Sequence, residues 1–117
     1  MARRTRRLIK AVIETDRTFE RAEQRGEPVW VGKCIHCNAD LVVRDDGTPV
    51  GRATVEHIVP RRRGGTDDPE NLALACARCN YQKGYRHDAS RRPSARALEI
   101  ERALLERRRE RLREPDE

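Results

Sequence analysis

Four cysteines stand in two C-x-x-C pairs, Cys34-Ile35-His36-Cys37 and Cys76-Ala77-Arg78-Cys79. Between them lies Glu56-His57-Ile58-Val59-Pro60, then a basic loop ending in Gly64-Gly65, then Asn71; Asn80 follows Cys79 directly. The cysteines can form two disulfides or one metal site. The N-terminus, MARRTRRLIK, has no signal-type apolar run and no stretch could span a membrane, so a reducing cytoplasm is expected, where structural disulfides are rare. One Zn²⁺ bound by Cys34, Cys37, Cys76 and Cys79 is the expectation, closed to water and therefore structural. A redox pair or an iron–sulfur cluster is the weaker alternative, because redox pairs do not normally come twice in one small domain. With four thiolates satisfying the ion, His36 is expected to face solvent. His57 offers a base that can take a proton from water near neutral pH. Glu56 and the side-chain oxygen of Asn80 offer hard ligands, few in number, which suit Mg²⁺ or Mn²⁺ rather than a second tight zinc.

These groups need elements to hold them. Leu8, Ile9, Val12, Ile13 and Phe19 recur at helical spacing, predicting a helix over residues 3–25 that Gly26 and Pro28 end. Residues 29–31 read as a short extended run, Leu41-Val42-Val43 as a strand, and residues 44–47 as a turn with Gly47 left-handed. Residues 52–59 read as a strand stopped by Pro60, Leu72–Ala75 as a buried strand or a turn of helix, and Cys76 onward as a helix towards His87. His87 falls on the face of Asn80 but is expected to be exposed. Neighbours on a regular strand point to opposite faces, so Glu56 and His57 share a site only if the strand end twists or bulges. A last helix covers 94–113, where Leu98, Leu105 and Leu112 make a narrow stripe. It is expected to pack within the chain, since charged residues fill the rest of a coiled-coil seam.

The chain has 117 residues and only 3 % aromatics, so the roughly sixty residues of its central part need more than burial to hold them together. Three segments are expected: a basic helix over 1–28, a core over 29–90 and a charged helix over 91–117. The net charge of +6 points to a polyanionic partner, although Arg-rich soluble helices also carry such charge. Arg61, Arg62, Arg63 and Lys83 are the expected phosphate contacts, against the alternative of a solvated basic loop.

The carboxylate–His pair, the central Asn and the segment Cys79-Asn80-Tyr81-Gln82-Lys83-Gly84 occur in order inside the cysteine frame over residues 34–84. This resembles the HNH endonuclease family, in a variant with Asn80 at the last position and Glu56 where Asp is frequent. The resemblance implies an α+β fold, a small ββα-metal finger stapled by the Cys₄ zinc and flanked by helices. It further implies metal-dependent hydrolysis of phosphodiesters, in DNA with RNA also open, with His57 as general base. Asn71 would brace the loop and hold His57 in orientation. Two other readings are a zinc-ribbon DNA-binding module without catalysis, and a phage-type nuclease accessory acting with a packaging or recombination partner that the terminal helices could bind.

Overall fold

The computed structural model describes residues 2–90 and 92–115. Helix α1 spans Arg3–Thr15, and its buried residues Leu8, Ile9, Val12 and Ile13 share one face. It stops ten residues before the expected end. The Thr15 hydroxyl donates back to the Ala11 carbonyl (2.6 Å), and Asp16 Oδ1 accepts from both the backbone N–H and the hydroxyl of Thr18 at 2.8 Å. That Asx turn redirects the chain into strand β1, Glu20–Gln24. Phe19 misled the periodicity. It is fully buried, but it packs against Gly32 of the neighbouring strand, where any Cβ would overlap its ring.

Strand β1 pairs antiparallel with β2, Glu27–Lys33, across a tight turn whose two residues, Arg25 and Gly26, both have positive φ (52° and 79°). Gly26 is therefore a hairpin residue, not a helix stop. All five residues of β1 are exposed, and its charged Glu20, Arg21 and Glu23 suit an edge strand. Strand β2 pairs with β3, Asp40–Arg44, and β3 with the short β4, Pro49–Val50, giving the order β1-β2-β3-β4. Gly47 turns this last connection at φ 89°.

Strand β5, Ala53–His57, pairs antiparallel with β6, Leu72–Cys76, in a separate sheet, with Glu56 opposite Ala73 and His57 opposite Leu72. Leu72–Ala75 is thus strand, and fully buried. Helix α2, Ala77–Lys83, follows at once and widens into a π turn over Gly84–Asp88. β5, β6 and α2 form a ββα unit. The core runs through all parts of the chain, joining α1, β2, β3, β5 and β6 to Leu104 of helix α3, Ala95–Arg111. The expected boundary after residue 28 falls inside β2.

Helix α3 packs within the chain, but of the expected leucines only Leu105 lies against the core, and Leu112 is half-buried. Leu98 is exposed, and the buried face is Ala97, Glu101, Leu104, Arg108 and Arg111. These arginines work as clamps on backbone carbonyls. Arg108, fully buried, donates to Leu72 O (2.7 Å), Thr15 O (3.1 Å) and Thr15 Oγ1 (2.7 Å). Arg111 donates to Lys33 O (3.1 Å) and Asn38 Oδ1 (2.6 Å), and Arg107 to Ile35 O (2.6 Å). Part of the +6 charge is therefore interior, where guanidinium groups satisfy loop carbonyls left outside regular pairing.

Candidate functional site

The two cysteine pairs meet at the seam between the sheets. Cys34 and Cys37 lie in the turn after β2, closed by Asn38 in the left-handed region (φ 63°). Cys76 ends β6 and Cys79 lies in the first turn of α2. The four sulfurs all lie within 4.8 Å of one another. The backbone N–H groups of His36 and Cys76 point at Cys34 Sγ (3.4 and 3.3 Å). Desolvation, followed by hydrogen bonding to Cys76 and Cys37, pushes the Cys79 thiol far above the ordinary thiol range. Four thiol sulfurs this close together suit one soft-to-borderline cation, which would bind them as thiolates and balance their charge. Arg107 donates to the carbonyls of Ile35 and His36, so α3 braces the first pair from outside.

The end of β5 meets α2 in a cleft of about 650 Å³ lined by Val55, Glu56, His57, Pro60, Arg61, Arg62, Asn80, Gly84, Asp88 and Ala89. Glu56 and His57 both reach it because the strand ends at His57 and the chain turns away at Pro60. Their partners differ. Nε2 of His57 lies 2.7 Å from Asp67 Oδ1, and Asp67 also receives Arg4 of α1 at 2.6 Å. The hydrogen bond from His57, then that from Arg4, holds the Asp67 carboxyl below its usual range. Glu56 is almost fully buried, with Oε1 2.5 Å from His36 Nε2 and Oε2 3.5 Å from Lys83 Nζ. Oε2 has no hydrogen-bond partner. The amide nitrogen of Asn80 donates to Thr54 Oγ1 (3.0 Å) and Val55 O (3.2 Å), which ties α2 to β5 and leaves Oδ1 as the group a ligand could use.

Asn71 sits apart from the cleft and closes the loop. Its Oδ1 accepts from Val59 N (2.9 Å), while its amide nitrogen donates to Val59 O (3.1 Å) and Thr66 O (2.9 Å). Gly65 passes so close to the Val59 carbonyl that no side chain fits there. The loop is thereby pinned to the strand end, which brings Asp67 to His57.

Three expectations about charge need correction. Lys83 is buried, with Nζ 2.7 Å from Asp88 Oδ2 and 3.3 Å from the His57 carbonyl, so its ammonium balances Glu56 and Asp88 instead of facing a phosphate. Arg63 is tucked against Glu101 of α3, an ion pair shielded from solvent. His36, expected in solvent, is the partner of Glu56. Arg61 and Arg62 do remain exposed at the cleft, Arg61 3.9 Å from Asp67 and Arg62 bonded to the Ala89 carbonyl. His87 is half-buried and does not line the cleft. Asp67, His36 and Asp88 were missed by sequence reasoning. Only Asp67 left a trace, as an acid in a loop that two glycines and Asn71 could close.

A ββα unit framed by two cysteine knuckles, with a His, a carboxylate and an Asn beside it, is compatible with a small ββα-metal finger. Residues 34–86, a little under half of the chain, match the model of the HNH endonuclease family. No curated protein and no solved structure matches the chain. Among the described residues, no helix is long and apolar enough to cross a membrane.

Proposed function

We propose that the protein is a metal-dependent endonuclease that hydrolyses phosphodiester bonds in DNA, with His57 as the general base. The observation that carries this reading is the contact of His57 Nε2 with Asp67. A carboxylate on Nε2 takes that N–H and leaves Nδ1 with its lone pair free to accept a proton from water. It also stabilises the imidazolium that results, and Asp67, held ionised by its neighbours, suits the task. Arg61 and Arg62 at the cleft rim supply positive charge for a phosphate. Asn71 positions the loop and, through it, His57.

The four cysteines would hold a structural Zn²⁺. Glu56, through Oε2, which accepts no hydrogen bond, and Asn80, through Oδ1, would hold a divalent ion such as Mg²⁺ or Mn²⁺. When bound, that ion supplies charge stabilisation for the phosphate under attack.

One observation favours a rival, a DNA-binding module without hydrolysis: Lys83 already brings an ammonium to 3.5 Å from Glu56 Oε2. The deciding experiment incubates purified protein with supercoiled plasmid and with RNA, with and without added Mg²⁺ or Mn²⁺, beside His57→Ala. Metal-dependent cutting that falls by about two to four orders of magnitude in the variant, with DNA affinity kept, supports the enzyme. Equal cutting by both proteins removes His57 as the base. Binding without cutting under every ion moves the protein to the rival class.

A further inference from the structure

Half of this chain's four aromatic side chains are spent on one exposed patch. Phe19 is fully buried, and Trp30 packs against the core beneath Arg21 and Arg113, whose guanidinium carbons lie 4.8 and 5.7 Å from its ring centre. Tyr81 and Tyr85, in contrast, are 73 % and 75 % exposed. They stand one helical turn apart, with near-parallel rings (10°) and centroids 6.3 Å apart. A fold so poor in aromatics gains little from rings left in water, and nothing in the packing accounts for both of them.

Their position is informative. Asn80 and Gly84, the residues immediately before each tyrosine, line the cleft that holds Glu56 and His57. The two rings therefore flank the cleft on the next face of the same helical segment. The exposed side chains of that segment are Ala77, Arg78, Tyr81, Gln82, Tyr85 and Arg86, two of them cationic and none acidic. Lys83 and Asp88 neutralise each other in the interior. The surface thus combines flat apolar faces with positive charge, continuous with a cleft whose rim carries Arg61 and Arg62.

We propose that Tyr81 and Tyr85 form a stacking platform for the bases of single-stranded DNA, engaging unpaired nucleotides beside the phosphate held in the cleft. Aromatic faces bind any base, because every base has a π-face, while the flanking arginines meet the backbone. Paired bases inside a duplex cannot offer those faces, so the platform favours single strands, flaps or frayed ends over intact duplex. It tolerates any sequence. The inference deepens the nuclease reading and rests on it for the strand's presence in the cleft.

The test measures binding of the full-length, zinc-loaded protein to a fluorescent oligothymidylate and to a duplex of equal length, without added divalent ion so that nothing is cut. The proteins compared are the parent, Tyr81→Ala/Tyr85→Ala and Tyr81→Phe/Tyr85→Phe, each checked for zinc content. The platform predicts that the alanine pair binds the single strand about tenfold or more weakly while duplex affinity and the salt slope stay the same. The phenylalanine pair retains parent affinity, since stacking needs the ring and not the hydroxyl. Unchanged single-strand affinity in the alanine pair overturns the proposal, as does an equal loss on both substrates. So does a parent that dimerises through this face and loses the dimer on substitution. A tyrosine-dependent single-strand preference in a protein that cuts nothing would retain the platform and reject the nuclease, whereas cutting with no such preference would do the reverse.

Discussion

The imidazole of His57 and the carboxylate of Asp67 lie 2.7 Å apart, joining the last residue of β5 to a loop that α1 also reaches through Arg4. The base of the proposed reaction is therefore oriented by a residue ten positions away, and that residue is itself held by the N-terminal helix.

Asp67→Asn should keep DNA affinity while cleavage falls on the order of tenfold or more, because an amide can present the wrong group to Nε2 and favour the wrong tautomer. Asp67→Glu should recover part of the loss. The folded-state carboxyl is held below its ordinary value, so its contribution to stability is present above the unfolded pKa and is lost as pH falls through the folded one. The melting-temperature gap between parent and Asp67→Asn should thus be open at neutral pH and close below about pH 4. A gap that widens in acid would contradict the contact.

Purified protein should carry one zinc per chain. Stripping it should unfold the ββα unit, since four free thiols cannot hold the knuckles together as a metal does. Elemental analysis together with circular dichroism before and after chelation checks both halves. A stably folded apo form would remove the zinc from its structural role.

The three loop arginines should separate by environment. Arg61→Ala, at the exposed rim, should lower DNA affinity and reduce the slope of log affinity against log salt by about 1. Arg63→Ala should leave the slope unchanged and lower the melting temperature, because it strands Glu101 in the interior. Titrations at several salt concentrations, with thermal melts alongside, distinguish the two behaviours.

Arg108→Met preserves much of the buried volume but leaves Leu72 O, Thr15 O and Thr15 Oγ1 without their donor. A loss of about 3 kcal/mol is expected from these stranded acceptors, read as a drop in melting temperature of roughly 10 °C or more. A variant as stable as the parent would mean that α3 is docked by other contacts.

The candidate residues were legible in the chain because they are marked by residue type and short spacing. Two C-x-x-C pairs, Glu56-His57, Asn71 and Asn80 stand in order, and the turn at Gly47 follows from a local demand for positive φ. The ββα unit was implied only by the family resemblance, and the structure settles Leu72–Ala75 as the strand that leads directly into α2. Less local facts were not legible. Phe19 continued a helical period that Asp16 interrupts, and its true partner, Gly32, lies in another element. Leucines at regular spacing suggested the packing face of α3, whereas Leu98 is exposed and that helix docks through Leu104 together with Glu101, Arg108 and Arg111. The environment of a charge is set by whichever carbonyls and carboxylates the fold brings to it, and neither spacing nor composition records that. Tertiary structure alone decided that Lys83 and Arg63 face inward, that His36 meets Glu56, and that a loop pinned by Asn71 and Gly65 delivers Asp67 to His57.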